Sequence, residues 1–386
     1  MVIGRTLIAV SLLLAVTVPA TPAGAAGTAE PDKCSLKQGT TSIAESWAQR
    51  RLNLPEVWRL TQGAGVTVAV VDSGLDTRHP QLTRGIVEDV TSTGGRDCLG
   101  HGTEVAGIVA AARMRGVPFA GVAPEAKLIS VKHTNDGKGQ VAMLALAIVK
   151  AVELGAGVIN VSAQASDHPD LRNAVAYALA KNVVVVAAAG NIDKEDGSPA
   201  RAYPASYPGV LSVGSAGPNG KRADSSNPVT PINVLAPGTG VTSTWPGQAY
   251  QENLEGTSYA TAYVTGVVAL VRARYPKLTY EEVGRRITLT ADGGSGSGTG
   301  EGMVNPLLAV SAILPSEAVA LAPAEPAPLP LDAIVHAPPE DTQSISVATW
   351  VALLSLGGVV LVTLGSIAIP LGRRRRWRAG PLENGS

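Results

Sequence analysis

Aromatic side chains are scarce in this chain: they make up 4% of its 386 residues, with a single phenylalanine. Any core must therefore be filled with aliphatic side chains, and the abundance of Ala, Gly and Val suits a parallel sheet buried on both faces. A charge bias is missing too. Lys plus Arg and Asp plus Glu each number 31, so no global field favours nucleic acid or an anionic surface, and no nucleic-acid partner is expected. Cysteine is almost absent, represented by Cys34 and Cys98 alone. Histidine is limited to five residues, which narrows the search for an acid–base group. No internal repeat is visible.

Two long apolar runs decide the compartment. Residues 1–26 carry Arg5, an apolar run over 7–18 and the small residues Ala23-Gly24-Ala25, the pattern of a secretory signal peptide cleaved near Ala26. A first membrane anchor is the alternative, but the run is short for a span. Residues 348–370 are uncharged and long enough to cross the ~30 Å hydrocarbon core. Arg373, Arg374, Arg375, Arg376 and Arg378 follow, and Trp350 and Trp377 bracket the run. The positive-inside rule puts the tail 371–386 in the cytoplasm and everything before residue 348 outside. The expected location is the cell membrane, with one span contacting the lipid bilayer. Disulfides persist outside the cytoplasm, so a Cys34–Cys98 bridge is the default pairing, with two free thiols as the alternative.

The remaining chain alternates apolar strands with helices. A helix is expected over 43–60, with Ser42 as a possible N-cap and Gly63 as a stop. Strands are expected over 66–71, at the end of 120–131, and over 158–161, 183–188, 210–213 and 234–236. Helices are expected from Gly100 through Ala111 and over 140–154, 171–180 and 257–275, the last stopped by Pro276. Near-continuous apolar strands between helices mean a parallel sheet covered on both faces. The Gly/Ser-rich stretch 291–302 reads as a loop, and the Pro- and Ala-rich 315–343 as a stiff linker.

Four short motifs carry the chemistry. Val70-Val71-Asp72-Ser73-Gly74 puts an aspartate just past an apolar strand, where open α/β sheets place their sites; a turn aspartate is the bland alternative. Gly100-His101-Gly102-Thr103 opens a helix, and its glycines allow close approach to the ring. His79, His133, His168 and His336 have no comparable surroundings. Gly256-Thr257-Ser258-Tyr259-Ala260 places a serine at the start of a long helix, either as an N-cap or as a nucleophile whose developing charge the helix N-terminus favours. Ala189-Gly190-Asn191 follows a buried strand, so Asn191 is either a turn residue or an amide donor that forms an oxyanion hole with the Ser258 N–H.

In this order the motifs resemble those of the subtilisin-like serine proteases, whose triad runs Asp, His, Ser. His79-Pro80-Gln81-Leu82, Val158-Ile159-Asn160-Val161-Ser162 and Gly302-Met303-Val304-Asn305-Pro306 extend the resemblance over 43–310. It implies a subtilisin-like three-layer α/β fold around a mostly parallel sheet. It also implies that Ser258 is the nucleophile, His101 the base, Asp72 its orienting partner and Asn191 an oxyanion donor. An extended substrate would pair beside Ser162 and Ala163. This chemistry requires no cofactor or metal. The motifs depart from the family's usual pattern at Glu104, where a second histidine is common, at Tyr259, where methionine is common, and at Ser162-Ala163-Gln164, which usually reads Ser-Leu-Gly.

The short stretch before the first core strand leaves no room for a folded pro-domain, so removal of an inhibitory pro-domain is not expected. Together with Cys34, Asp97-Cys98-Leu99-Gly100-His101, the proline-rich linker and a C-terminal span, it resembles the mycosins, membrane-anchored subtilases of type VII secretion. The layout is then a signal peptide (1–26), an N-terminal extension (27–42), a protease domain (43–314), a Pro/Ala-rich linker (315–346), a span (348–370) and a cytoplasmic tail (371–386). The expected function is hydrolysis of protein or peptide substrates in the cell envelope, in association with a membrane secretion complex. The alternative is a structural subunit of that complex, with proteolysis secondary.

Overall fold

The structure is a computed structural model that describes residues 34, 36–137, 139–192, 199–294, 296–317 and 342–374. The expected signal peptide, most of the linker, His336 and the tail beyond residue 374 lie outside the described residues. What is described falls into two units that divide near residue 320.

The first unit opens with a correction. The single helix expected over 43–60 is two short ones, α1 (Trp47–Arg51) and α2 (Leu54–Trp58). Ser46, rather than Ser42, caps α1 by accepting the Ala48 N–H. Asn53 then turns left-handed at φ 48°, and Pro55 lies in the first turn of α2. Proline lacks the N–H that would continue the preceding helix, so the chain restarts there.

The core is built from β1 (Thr67–Asp72), β2 (Ile86–Asp89), α3 (His101–Ala110), β3 (Lys127–Lys132), α4 (Val141–Glu153), β4 (Val158–Val161), α5 (Pro169–Ala180), β5 (Val184–Ala188), β6 (Leu211–Ala216) and β7 (Val234–Pro237). Seven strands form one sheet in the order β2-β3-β1-β4-β5-β6-β7, and every neighbouring pair runs parallel. Alternation along β1 explains the three layers. Val68 and Val70 join a cluster with Val105 and Ile108 of α3 and with Val264 and Val267 of α6 (Thr257–Arg274). Ala69 and Val71 join the opposite cluster, with Leu144 and Ile148 of α4 and Leu171 and Val175 of α5. Apolar side chains on both faces of a strand require cover on both faces. The winding reverses at β1, whose neighbours β3 and β4 lead in opposite directions. Such a switch point, at the carboxyl ends of the strands, is where open α/β sheets carry their sites.

Several elements were not expected. These are β2, the hairpin of β8 (Thr239–Trp245) and β9 (Ala249–Glu255), α7 (Tyr280–Leu289) and α8 (Pro306–Ser311). The hairpin holds the N-terminal segment: Thr40 pairs with Tyr250, and the Trp245 indole N–H donates to the Lys37 carbonyl at 2.8 Å. Cys34 and Cys98 are bonded, with Cα atoms 4.8 Å apart, which joins this segment to the loop before α3.

The second unit contains α9 (Thr342–Arg374), which extends beyond the expected span 348–370 at both ends. It is long and apolar enough to cross a bilayer, with a mean hydropathy of 2.3 over its most apolar window.

Candidate active site

Asp72 is the last residue of β1 and is buried. One carboxylate oxygen, Oδ1, accepts the Ser73 N–H at 2.7 Å and His101 Nδ1 at 2.8 Å. His101 is the first residue of α3, where the sequence places it. The glycines around it permit the close approach that the sequence suggests, and it is backbone and a neighbouring ring that approach. A Cβ on Gly102 would stand 2.2 Å from the Gly74 carbonyl oxygen, and one on Gly100, at φ 84°, would meet the Trp245 ring at 2.2 Å. Only glycine lets the β1 loop and the hairpin close on the histidine at this distance.

The pair polarises itself. Burial opposes the Asp72 charge, but the neighbouring His101 and the hydrogen bonds outweigh it and hold the carboxyl below its ordinary range. Burial likewise opposes the His101 charge, yet the Asp72 carboxylate prevails and raises the imidazole to about 9. An opposite charge in hydrogen-bond contact has this effect on both members.

Asp97 holds the loop in place, a role the sequence reading missed. It is buried, and its oxygens accept from the Ser73 hydroxyl, the Leu99 and Gly100 N–H groups, and the N–H and hydroxyl of Thr103. Gly100 offers no side chain to cap α3, so Asp97 caps it from three residues further back. An acidic residue in the turn before a helix was the available signal.

Ser258 is the second residue of α6, so it is not the N-cap; Gly256 occupies that position. Its hydroxyl donates to the Ser162 carbonyl at 3.3 Å, while the Ser162 hydroxyl donates to the Ser258 carbonyl at 3.1 Å. No hydrogen bond joins Ser258 to His101 here. Ser162 is in turn fixed by the Asn160 amide at 2.8 Å, and Thr265 of α6 donates to Asn160 at 2.9 Å. Asn160 thus ties the end of β4 to the serine-bearing helix.

Asp72, His101, Ser162, Ala163 and Ser258 line one cleft of about 680 Å³. Asn191 is not among its lining residues. Its Oδ1 accepts the Thr257 N–H at 3.0 Å and the Thr257 hydroxyl at 3.2 Å. A backbone N–H can face only the oxygen of an amide, so the NH₂ end is directed away from Thr257. Gln164, by contrast, enters the cleft, and its Oε1 accepts the Asn191 N–H at 3.3 Å. The Gln164 side chain therefore takes up part of the cleft beside Ser162 and Ala163.

His133 requires a second correction. It lines the same cleft and is buried, and its backbone N–H donates to the Asp72 carbonyl at 2.9 Å. Burial lowers the pKa of its ring. Among the described residues, no group of three or more His, Cys, Asp or Glu side chains gathers as a metal site would require.

The chain is similar to known proteins over most of its length. A model described as the subtilase family matches residues 63–306. Mycosin-4 of Mycobacterium tuberculosis is 34% identical over 94% of this chain and 89% of its own length. Mycosin-3 of the same organism is 36% identical over 88% of this chain and 86% of its own. Among solved structures, MycP1 is described as a serine protease and an essential component of the type VII (ESX-1) secretion system. It matches with a TM-score of 0.61 and 31% identity, covering 72% of this chain and 91% of that one. With more than half of its residues matched by the family model and mycosins aligned along most of its length, this chain belongs to the subtilase family of serine proteases.

Proposed function

We propose that the chain is a membrane-anchored serine endopeptidase working outside the cytoplasmic membrane on proteins of the cell envelope, in association with a type VII secretion system. The observation that carries the peptidase reading is the buried Asp72 bonded to His101 Nδ1 at 2.8 Å, in one cleft with Ser258. With Nδ1 committed to Asp72, the free Nε2 is the ring's proton acceptor.

In this reading the Ser258 hydroxyl leaves the Ser162 carbonyl and turns to His101 Nε2. As Ser258 Oγ attacks the peptide carbonyl, its proton passes to Nε2 and then to the leaving amine, and water reverses the sequence to release the acid. Asp72 holds the ring's tautomer and stabilises the imidazolium without taking the proton. The tetrahedral oxyanion receives the Ser258 N–H at the start of α6 and the NH₂ of Asn191. Loss of such a side-chain donor costs about 10²–10³ in turnover, the figure known for a subtilisin. An extended peptide pairs beside Ser162 and Ala163. The arginines from Arg373 onward, in the last turn of α9 and beyond it, set the orientation, with the protease unit outside and the tail inside.

The test is labelling of the full-length chain in detergent by a fluorophosphonate, with Ser258→Ala as control. Labelling of the wild type alone is expected; a folded wild type that takes no label overturns the reading. MycP1 is described as an essential component of its system, which motivates a structural role as the second reading. In that case Ser258→Ala would abolish proteolysis and leave the assembly of the complex intact.

A further inference from the structure

The two side chains that depart from the family motifs on α3 and α6 meet in the interior. Glu104 lies one helical turn after His101 on α3, and Tyr259 directly follows Ser258 on α6. Both are buried, at 3% and 7% exposure. The Tyr259 hydroxyl donates to Glu104 Oε2 at 2.7 Å. The Tyr259 ring lies 5.7 Å from the His101 ring, centroid to centroid, tilted by 51°. The Glu104 carbonyl is held separately by the Ser243 hydroxyl of β8 at 2.6 Å.

An apolar pair would fill this space at lower cost. A buried carboxyl is expensive unless it is hydrogen-bonded, and its one side-chain partner here is a tyrosine packed on the imidazole. We propose that Glu104 and Tyr259 act as one hydrogen-bonded unit that positions the His101 ring and supplies a second anion to stabilise its protonated form. Both are then positioning residues of the peptidase site. This rests on the serine-peptidase reading above.

The surroundings define the electrostatics. Burial raises Glu104 to about 7; the Tyr259 hydrogen bond and His101 pull it down, and Asp97 and Asp72 push it up. Above that pH its anion favours the imidazolium, in addition to the larger effect of Asp72. β3 ends in Lys132, which is hydrogen-bonded to the Gly94 and Arg96 carbonyls, and His133 follows it, acting electrostatically on Asp72 and His101. From β8, the Ser243 hydroxyl donates to the Glu104 carbonyl and the Thr244 hydroxyl to that of Thr103.

The experiment measures the rate of fluorophosphonate labelling against pH for the full-length chain in detergent. Glu104→Gln keeps the shape and an acceptor for Tyr259 while removing the charge. Tyr259→Phe keeps the ring and removes the hydroxyl. The rising limb, which reports deprotonation of His101, is expected to move to lower pH by about half a unit in Glu104→Gln, about a threefold change at fixed pH on the limb. Tyr259→Phe, which favours the protonated carboxyl, is expected to move it the same way by less. The double variant should move no further than Glu104→Gln, because the two act as a unit. Limbs that coincide with the wild type overturn the proposal, whatever happens to the melting temperature; a pair that only fills space lowers stability and leaves the profile in place. If Tyr259→Phe does not fold, the nearly isosteric Glu104→Gln decides alone. A wild type that takes no label brings down the peptidase reading, and this one with it.

Discussion

Replacing Asp97 by asparagine tests how the histidine is held. The carboxylate is 1% exposed. Oδ1 accepts from the Ser73 hydroxyl at 2.9 Å, Leu99 N–H at 3.1 Å and Gly100 N–H at 2.8 Å. Oδ2 accepts from the Thr103 N–H at 2.8 Å and the Thr103 hydroxyl at 2.7 Å. In Asp97→Asn one oxygen becomes an NH₂. If it replaces Oδ2, it faces the Thr103 N–H, and one buried donor is left without an acceptor. The flipped amide instead strands the N–H groups of Leu99 and Gly100, so flipping gives no escape. An orphaned buried donor costs about 1–3 kcal/mol, and bonds to a charged acceptor are worth about 1.5–3 kcal/mol against about 1 kcal/mol for neutral ones. The sum is a loss of about 3 kcal/mol, a large fraction of the stability of an ordinary domain. Urea denaturation of the full-length chain, followed by tryptophan fluorescence, measures it. Fluorophosphonate labelling should slow as well, because His101 begins the helix that Asp97 caps. A stability change under about 0.5 kcal/mol, within the range of an ordinary surface substitution, would refute the reasoning.

Two further outcomes are expected. Asp72→Asn should lower labelling by about 10⁴-fold and shift its rising limb from about 9 towards or below neutral, because the carboxylate is what overcomes burial of the His101 charge; an unmoved limb would show that another group sets it. Glu317→Ala should cost about 3–5 kcal/mol in urea denaturation, because it strands Arg286, which is buried, stacked 4.1 Å from the Tyr275 ring and bonded to the Ala309 and Ala312 carbonyls. An unchanged midpoint would mean that this buried ion pair adds nothing to the fold.

Much of this protein is written in short stretches of its sequence. The apolar strand before Asp72, the glycines around His101 and the helix after Ser258 are each determined within a few residues, since strand burial, close backbone approach and helix initiation are local matters. The parallel sheet follows from the continuous apolar strands. The break between α1 and α2 is not foreseen in the expected helix over 43–60, although Pro55 signals it: proline fits the first turn of α2 but cannot continue the helix before it. Partnership was not legible. Asp97 reaches back 24 residues to Ser73, Asn160 reaches 105 residues to Thr265, and Glu104 reaches 155 residues to Tyr259. Each of these polar side chains reads alone as an ordinary turn or helix residue. The hairpin β8–β9 escaped notice because its strands mix polar and apolar residues, and its value lies in closing over α3 and the N-terminal segment. Sequence by itself determined which groups are present and which ends of the strands carry them. Tertiary structure alone decided which buried polar atoms face one another, because their hydrogen bonds exist only once the sheet has brought α3 and α6 together.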